Sequence, residues 1–225
     1  MELIALPTLS YEQAQELIKK HAGSVLNDAE VALQAHESEE DDYRPAEIRF
    51  CDGDFELDEL AASCDCLIVN GNLHVRGLLE TCHEVEEGAL IVLGNVTAGN
   101  VIVHDSWCVI SGNFHAGHVY ANSSNNCGMV VGGNVQAESL VEFGQHIHVM
   151  GDVQADLVLS GMNQIQTDGQ EHAARRLDRA TGVQQKLTEV FQPLCVEADP
   201  ESKKQYLEED VYCNMLRLGE NPLIV

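Results

Sequence analysis

Ten histidines, eight cysteines and thirty-seven acidic residues are the side chains through which this chain could do chemistry. Cys64-Asp65-Cys66 and Cys82-His83 place ligand types side by side, and His146 and His148 share one face of an expected strand. None of these has the Cys-x-x-Cys or His-Glu-x-x-His spacing that brings two ligands onto one tetrahedral ion. The histidines are read as surface polar residues, and no metal and no cofactor is expected. No Gly-x-Ser-x-Gly elbow is present, and Gly94 to Gly99 lacks the Lys-Ser/Thr of a phosphate loop. Paired carboxylates such as Asp52 and Asp54 fit an inverting glycosidase on paper. Carboxylates are so abundant here that such pairs arise by chance. A non-catalytic protein is expected.

The acid itself is the anomaly. Twelve Lys and Arg stand against thirty-seven Asp and Glu, a formal net charge of −25. A chain so charged repels phosphate backbones and anionic lipid, which excludes nucleic acid and membrane as partners and favours a basic protein. The charge is also polarised. Glu37, Glu39, Glu40, Asp41, Asp42, Glu47, Asp52, Asp54, Glu56, Asp58 and Glu59 fall within one short stretch, against Arg44 and Arg49. Glu80, Glu84, Glu86 and Glu87 form a second cluster. An acidic run is often just a solvated face. The functional alternative is a docking surface whose field speeds encounter and rejects wrong partners. The candidate partner-binding residues are Glu39, Glu40, Asp41, Asp42, Tyr43, Asp52, Asp54, Glu56, Asp58, Glu59, Glu84, Glu86 and Glu87, with Tyr43, Phe50 and Trp107 as candidate anchors.

The elements that must carry these residues are announced by a repeat. A Gly-Asn or Gly-Asp pair recurs with alternating apolar residues on both sides, at Gly53, Gly71, Gly94, Gly112, Gly133 and Gly151, spaced 18, 23, 18, 21 and 18 residues apart. Eighteen residues make three sides of about six, a triangular winding of short strands. Glycine is expected at the corner because the bend needs a conformation other residues resist. Two residues after each glycine lie Phe55, Leu73, Val96, Phe114, Val135 and Val153. Two before it lie Cys51, Val69, Val92, Ile110, Val131 and Val149, and seven after it Leu60, Leu78, Val101, Val119, Leu140 and Val158. Three inward ladders fill a solenoid, while the column Glu56, His74, Thr97, His115, Gln136 and Gln154 faces out. Extra residues at 80–88 and 121–128 fall at the same point of the winding, so both loops are expected along one edge.

This apolar-x-Gly-Asn/Asp-apolar-x-apolar unit, over about residues 46 to 162, resembles the bactofilin, or polymer-forming cytoskeletal, domain. The resemblance implies a mainly β fold, a right-handed three-sided parallel β-helix of about six windings, and a self-assembling scaffold as one function. The left-handed hexapeptide helix is the competing fold, but no hexad register holds here.

The chain departs from a bare rod at both ends. Residues 1–45 read as a helical N-terminal cap with an acidic linker, 46–162 as the β-helix and 163–225 as a helical C-terminal segment. Ser10 and Gln13 form a capping box for a helix through Tyr11, Ala14, Leu17 and Ile18, closed by Gly23, and Asn27 with Glu30 opens another. Asp199 is expected to cap a helix through Tyr206, Leu207, Val211, Met215 and Leu216, and Arg175 to Phe191 to be helical. Capped ends suppress pairing with another chain, so a monomer or small homo-oligomer is expected rather than a filament. Three residues before each glycine, Phe50, Ile68, Ile91, Val109, Val130 and His148 form an outward, largely apolar stripe. Either the terminal helices cover it or a partner does. Met1 to Pro7 has neither a basic stretch nor a long apolar run, which predicts a cytoplasmic chain with reduced thiols. The expected function is to bind and neutralise a basic protein, in its most concrete form as an immunity protein against a cognate bacterial toxin. The bactofilin-like scaffold is the alternative.

Overall fold

The computed structural model describes residues 3–34, 46–62, 64–81, 88–179, 187–202 and 204–224. The repeat becomes a parallel β-solenoid of about seven windings. One seven-stranded sheet stacks the first side of each winding, in the order Ile48–Asp52, Cys66–Asn70, Gly88–Val92, Ser106–Ile110, Gly128–Val131, His146–Val149 and Gln166–Thr167. The other two sides merge into a second parallel sheet, running from Phe55–Leu57 through Leu73–Glu80, Val96–His104, His118–Asn122, Val135–Phe143 and Val153–Ser160 to Glu171–Asp178. At about 4.8 Å per step, the stack is about 29 Å long.

Strand alternation sends the expected ladders inward. Leu73, Val96, Val135 and Val153 are buried, as are Val69, Val92, Ile110 and Val149. Each such side chain contributes about 1.5–3 kcal/mol by leaving water. The third ladder is shifted by one residue in the second winding. A bulge between Val75 and Leu78 pairs Leu60 and Val101 with Leu79, so Leu79 points inward in place of the expected Leu78. Leu78 packs outside, against the C-terminal segment.

Glycine holds the first corner mainly for a reason other than the expected one. Only Gly53 in this column has a positive φ, of 96°. At the other positions the windings approach too closely for a side chain. A Cβ on Gly94 would lie 2.3 Å from the Gly71 carbonyl oxygen, and one on Gly151 would lie 2.3 Å from Asn134 Oδ1. The Asn or Asp after each glycine builds a ladder of its own. Oδ1 of Asp54, Asn72, Asn95, Asn113, Asn134 and Asp152 each accepts from the backbone N–H one winding on, at 2.8–2.9 Å.

The solenoid extends past residue 162. Gly169 follows Gly151 by eighteen residues, and Glu171–Asp178 pairs in register with Val153–Ser160. Arg175 to Asp178 is therefore strand where helix was expected. Residues 180–186 lie outside the described residues, and a 3₁₀ turn occupies Leu187–Glu189. The helix expected after Asp199 is also shorter. Asp199 closes a turn by accepting from the Glu201 and Ser202 amides, Gln205–Leu207 pairs antiparallel with Val196–Ala198, and the helix spans only Glu209–Arg217.

The N-terminal helices α1 (Tyr11–His21) and α2 (Leu26–Gln34) lie on the outward face of the first sheet. α1 opens with the expected capping box, Ser10 Oγ accepting from Gln13 N at 3.3 Å and Gln13 Oε1 accepting from Ser10 N at 2.9 Å. Asn27 sits inside α2, which continues directly from a 3₁₀ turn. Ala14, Ile18, Val25, Ala29 and Leu33 pack on Ile68, Ile91, Val109 and Val130, so the chain's own helices cover the apolar stripe. A second outward stripe, Ile102, Tyr120, Val141, Leu159 and Leu177, is covered by the C-terminal segment and α3 (Glu209–Arg217). Two of the three flanks are thus occupied.

Candidate functional site

Among the described residues, no element packs on the third flank. Its outward column Glu56, His74, His115, Gln136, Gln154 and His172 is exposed, with half-buried Thr97 among them. The Asx ladder borders this flank on one side, and a second corner borders it on the other. That corner is turned by Gly77, Gly99, Gly117, Glu138 and Asp156. A Cβ on Gly99 would meet the Gly77 carbonyl oxygen at 2.6 Å, and one on Gly117 the Gly99 carbonyl oxygen at 2.7 Å.

Between this corner and residues Leu216 to Asn221 runs a groove of about 930 Å³. The far wall is pinned to the solenoid by Asn100 Nδ2 donating to the Leu216 carbonyl at 3.0 Å. Arg217 Nε donates to Glu80 Oε1 at 3.2 Å and fixes the same wall. Tyr120 and Asn122 bond the carboxylate of Glu209, which anchors the start of α3. Leu218 is exposed on the lip of the groove.

The groove is acidic. Glu59, Asp156 and Glu220 line it without a partner among the described residues, whereas its two arginines are engaged. Arg76 is held by Glu56 and Asp58, which raise its pKa, and Arg217 by Glu80. His118 is buried in the wall, its Nε2 3.4 Å from Glu138 Oε2. Burial lowers the His118 pKa against the opposing pull of Glu138, so near pH 7 the ring is neutral and leaves the carboxylate uncompensated. His118 Nδ1 lies 3.0 Å from Ser139 Oγ, which lies 3.1 Å from Tyr212 Oη. Ser139 and Tyr212 are fully buried, so this relay ties the solenoid to α3 and offers no hydroxyl to a substrate.

No family model, no curated protein and no solved structure matches this chain. Its chemistry has to be read from its own residues.

Of the expected partner-binding residues, Asp52, Asp54, Glu56, Asp58 and Glu59 come together as exposed groups on the first winding. Four of them also have internal work. Asp52 accepts from Asn70 Nδ2 at 2.8 Å, Asp54 starts the Asx ladder, and Glu56 and Asp58 hold Arg76. Glu59 alone of the five lines the groove. Glu39, Glu40, Asp41, Asp42, Tyr43, Glu84, Glu86 and Glu87 lie outside the described residues. Phe50 and Trp107 are half-buried and pack against the N-terminal helix cluster, and Trp107 lies over Gly128.

His148 bonds Asp168 at 3.0 Å, and among the described residues no three His, Cys, Asp or Glu gather as metal ligands. The described cysteines are buried, and burial pushes the Cys64 thiol up to about 11 and that of Cys108 to about 12, which leaves them unreactive. Sequence reasoning missed the groove. Its signal was present as a second glycine column, Gly77, Gly99 and Gly117, in step with the first.

Proposed function

We propose that this chain is a non-catalytic acidic β-solenoid that binds and neutralises a basic protein through its bare flank and the adjoining groove. The observation that carries this reading is the distribution of charge. Arg49, Arg76 and Arg176 are each held by the chain's own acids, while Glu59, Glu138, Asp152, Asp156, Asp168 and Glu220 remain exposed. A surface so biased attracts a basic partner from a distance and repels anionic ones. The corner glycines Gly77, Gly99 and Gly117 put no side chain into the groove, which lets the backbone of a partner segment approach closely, and Leu218 supplies an apolar contact on the lip. In its most concrete form the protein is a cytoplasmic immunity protein that occludes a cognate toxin acting on nucleic acid, since such toxins present basic surfaces. No helix among the described residues is long and apolar enough to cross a membrane.

The test is affinity capture from the producing cells at about 50 and 200 mM salt, with light scattering of the purified protein alongside. One basic protein held in fixed stoichiometry, with affinity that falls steeply as salt rises, is expected. Capture that is salt-independent, or of no basic protein, would end this reading. Long filaments in the light-scattering arm would favour the bactofilin-like scaffold instead.

A further inference from the structure

The two ends of the solenoid are closed in different ways. At the first winding, Leu6 is buried in the interior cluster with Leu3 against it. Phe50 N donates to the Pro7 carbonyl at 2.9 Å and Leu9 N to the Ile48 carbonyl at 3.0 Å, which occupies the edge of Ile48–Asp52. At the seventh winding no described strand pairs with the outer edge of Gln166–Thr167 or of Glu171–Asp178. Three of the interior ladders turn polar at this edge, while Ile165 and Ala173 keep two others apolar. Val149 is followed by Thr167, Val153 by Glu171 and Val158 by Arg176. Arg176 and Glu171 pair across the end, their side chains 31% and 22% exposed, and Arg176 Nη2 also reaches Ser160 Oγ at 3.3 Å. The buried Thr167 Oγ1 has no hydrogen-bond partner among the described residues.

We infer that the seventh winding is an ionic terminator that stops another copy of this chain from stacking on the solenoid. Without it the end would offer what an eighth winding needs, unpaired backbone groups around an apolar floor. Inward-pointing charge on an edge blocks such pairing, because a stacked copy would take the Arg176–Glu171 pair out of water without adding partners for it. The terminator depends on Thr167, Glu171 and Arg176 alone, whether or not the open flank binds a partner.

The triple variant Thr167→Val/Glu171→Val/Arg176→Val continues the ladders of Val149, Val153 and Val158. The pair Glu171→Gln/Arg176→Met removes both charges at nearly constant volume and is measured in parallel in case the triple variant fails to fold. Light scattering at high salt, with circular dichroism to establish folding, is expected to give at least twice the wild-type mass for the folded uncharged variants. The swapped pair Glu171→Arg/Arg176→Glu is expected to keep the wild-type mass. Folded uncharged variants that stay at wild-type mass overturn the inference, and so does a wild-type protein that forms end-to-end stacks.

Discussion

At the scale of single residues, the acids of this chain divide into those that build and those that face outward. Asp54 and Asp152 stand in a ladder otherwise made of asparagine, because only the Oδ1 acceptor is needed to hold the next amide. Asn113→Ala removes the acceptor for Asn134 N, and a loss of about 0.5–1.5 kcal/mol in denaturant melts is expected. Asn113→Asp, which keeps the acceptor, should lose less, and equal losses would show that the ladder is incidental. His118 gives a dependence on pH. Burial lowers its folded-state pKa below the unfolded value of about 6.5, so the unfolded chain binds the proton first as pH falls. Its contribution is complete above about pH 6.5 and is lost as pH drops through the folded-state value. Melts at pH 8, 6.5 and 5 should show this step in the wild type and a weaker one in His118→Gln. The buried Glu142 carboxyl, raised by desolvation, acts in the opposite direction, and comparison with the variant separates the two.

At the scale of elements, the helices act as flank covers. α1 and α2 bury an apolar stripe that would otherwise leave Ile68, Ile91, Val109 and Val130 in water. Ile18, fully buried at that seam, is the residue to test. Ile18→Ala should cost about 2–5 kcal/mol and expose an apolar surface that binds a hydrophobic dye. A change below about 0.5 kcal/mol would mean that the helix does not hold the sheet. The C-terminal segment has a second task, since the helix that covers Tyr120 and Val141 runs on from Leu216 into the wall of the groove. Arg217, through Glu80, couples that wall to the end of the second winding.

For the molecule as a whole, charge and shape act together. A formal −25 spread over a short prism makes a strong field, and among the described residues two flanks are covered and the third is open, the face on which the proposed partner would meet it. Association should therefore be governed by steering. Reversing Glu39, Glu40, Asp41 and Asp42 to lysine is expected to slow capture of a basic partner at least about tenfold at low salt. Reversing Glu59, Glu138 and Asp156 should speed dissociation as well, because these line the groove. Stopped-flow kinetics distinguishes the two, and unchanged rates for both sets would place the interface elsewhere.

The stack of windings was legible because each winding repeats one demand, an inward apolar residue on each side and no room beside the glycine. Period and alternation carry that demand in every copy. The seventh winding escaped notice because the three positions that continue the ladders legible in the sequence are Thr167, Glu171 and Arg176, so those ladders end in polarity while the glycine spacing continues. The one-residue bulge that exchanges Leu78 for Leu79 is also silent in the pattern, since both are leucine. Composition determined the acid surplus, and periodicity determined the solenoid. Which acids bond inward, which flank stays bare and where the groove runs were decided only by tertiary packing. Those features depend on residues such as Glu80 and Arg217, far apart in the chain, whose meeting no local pattern records.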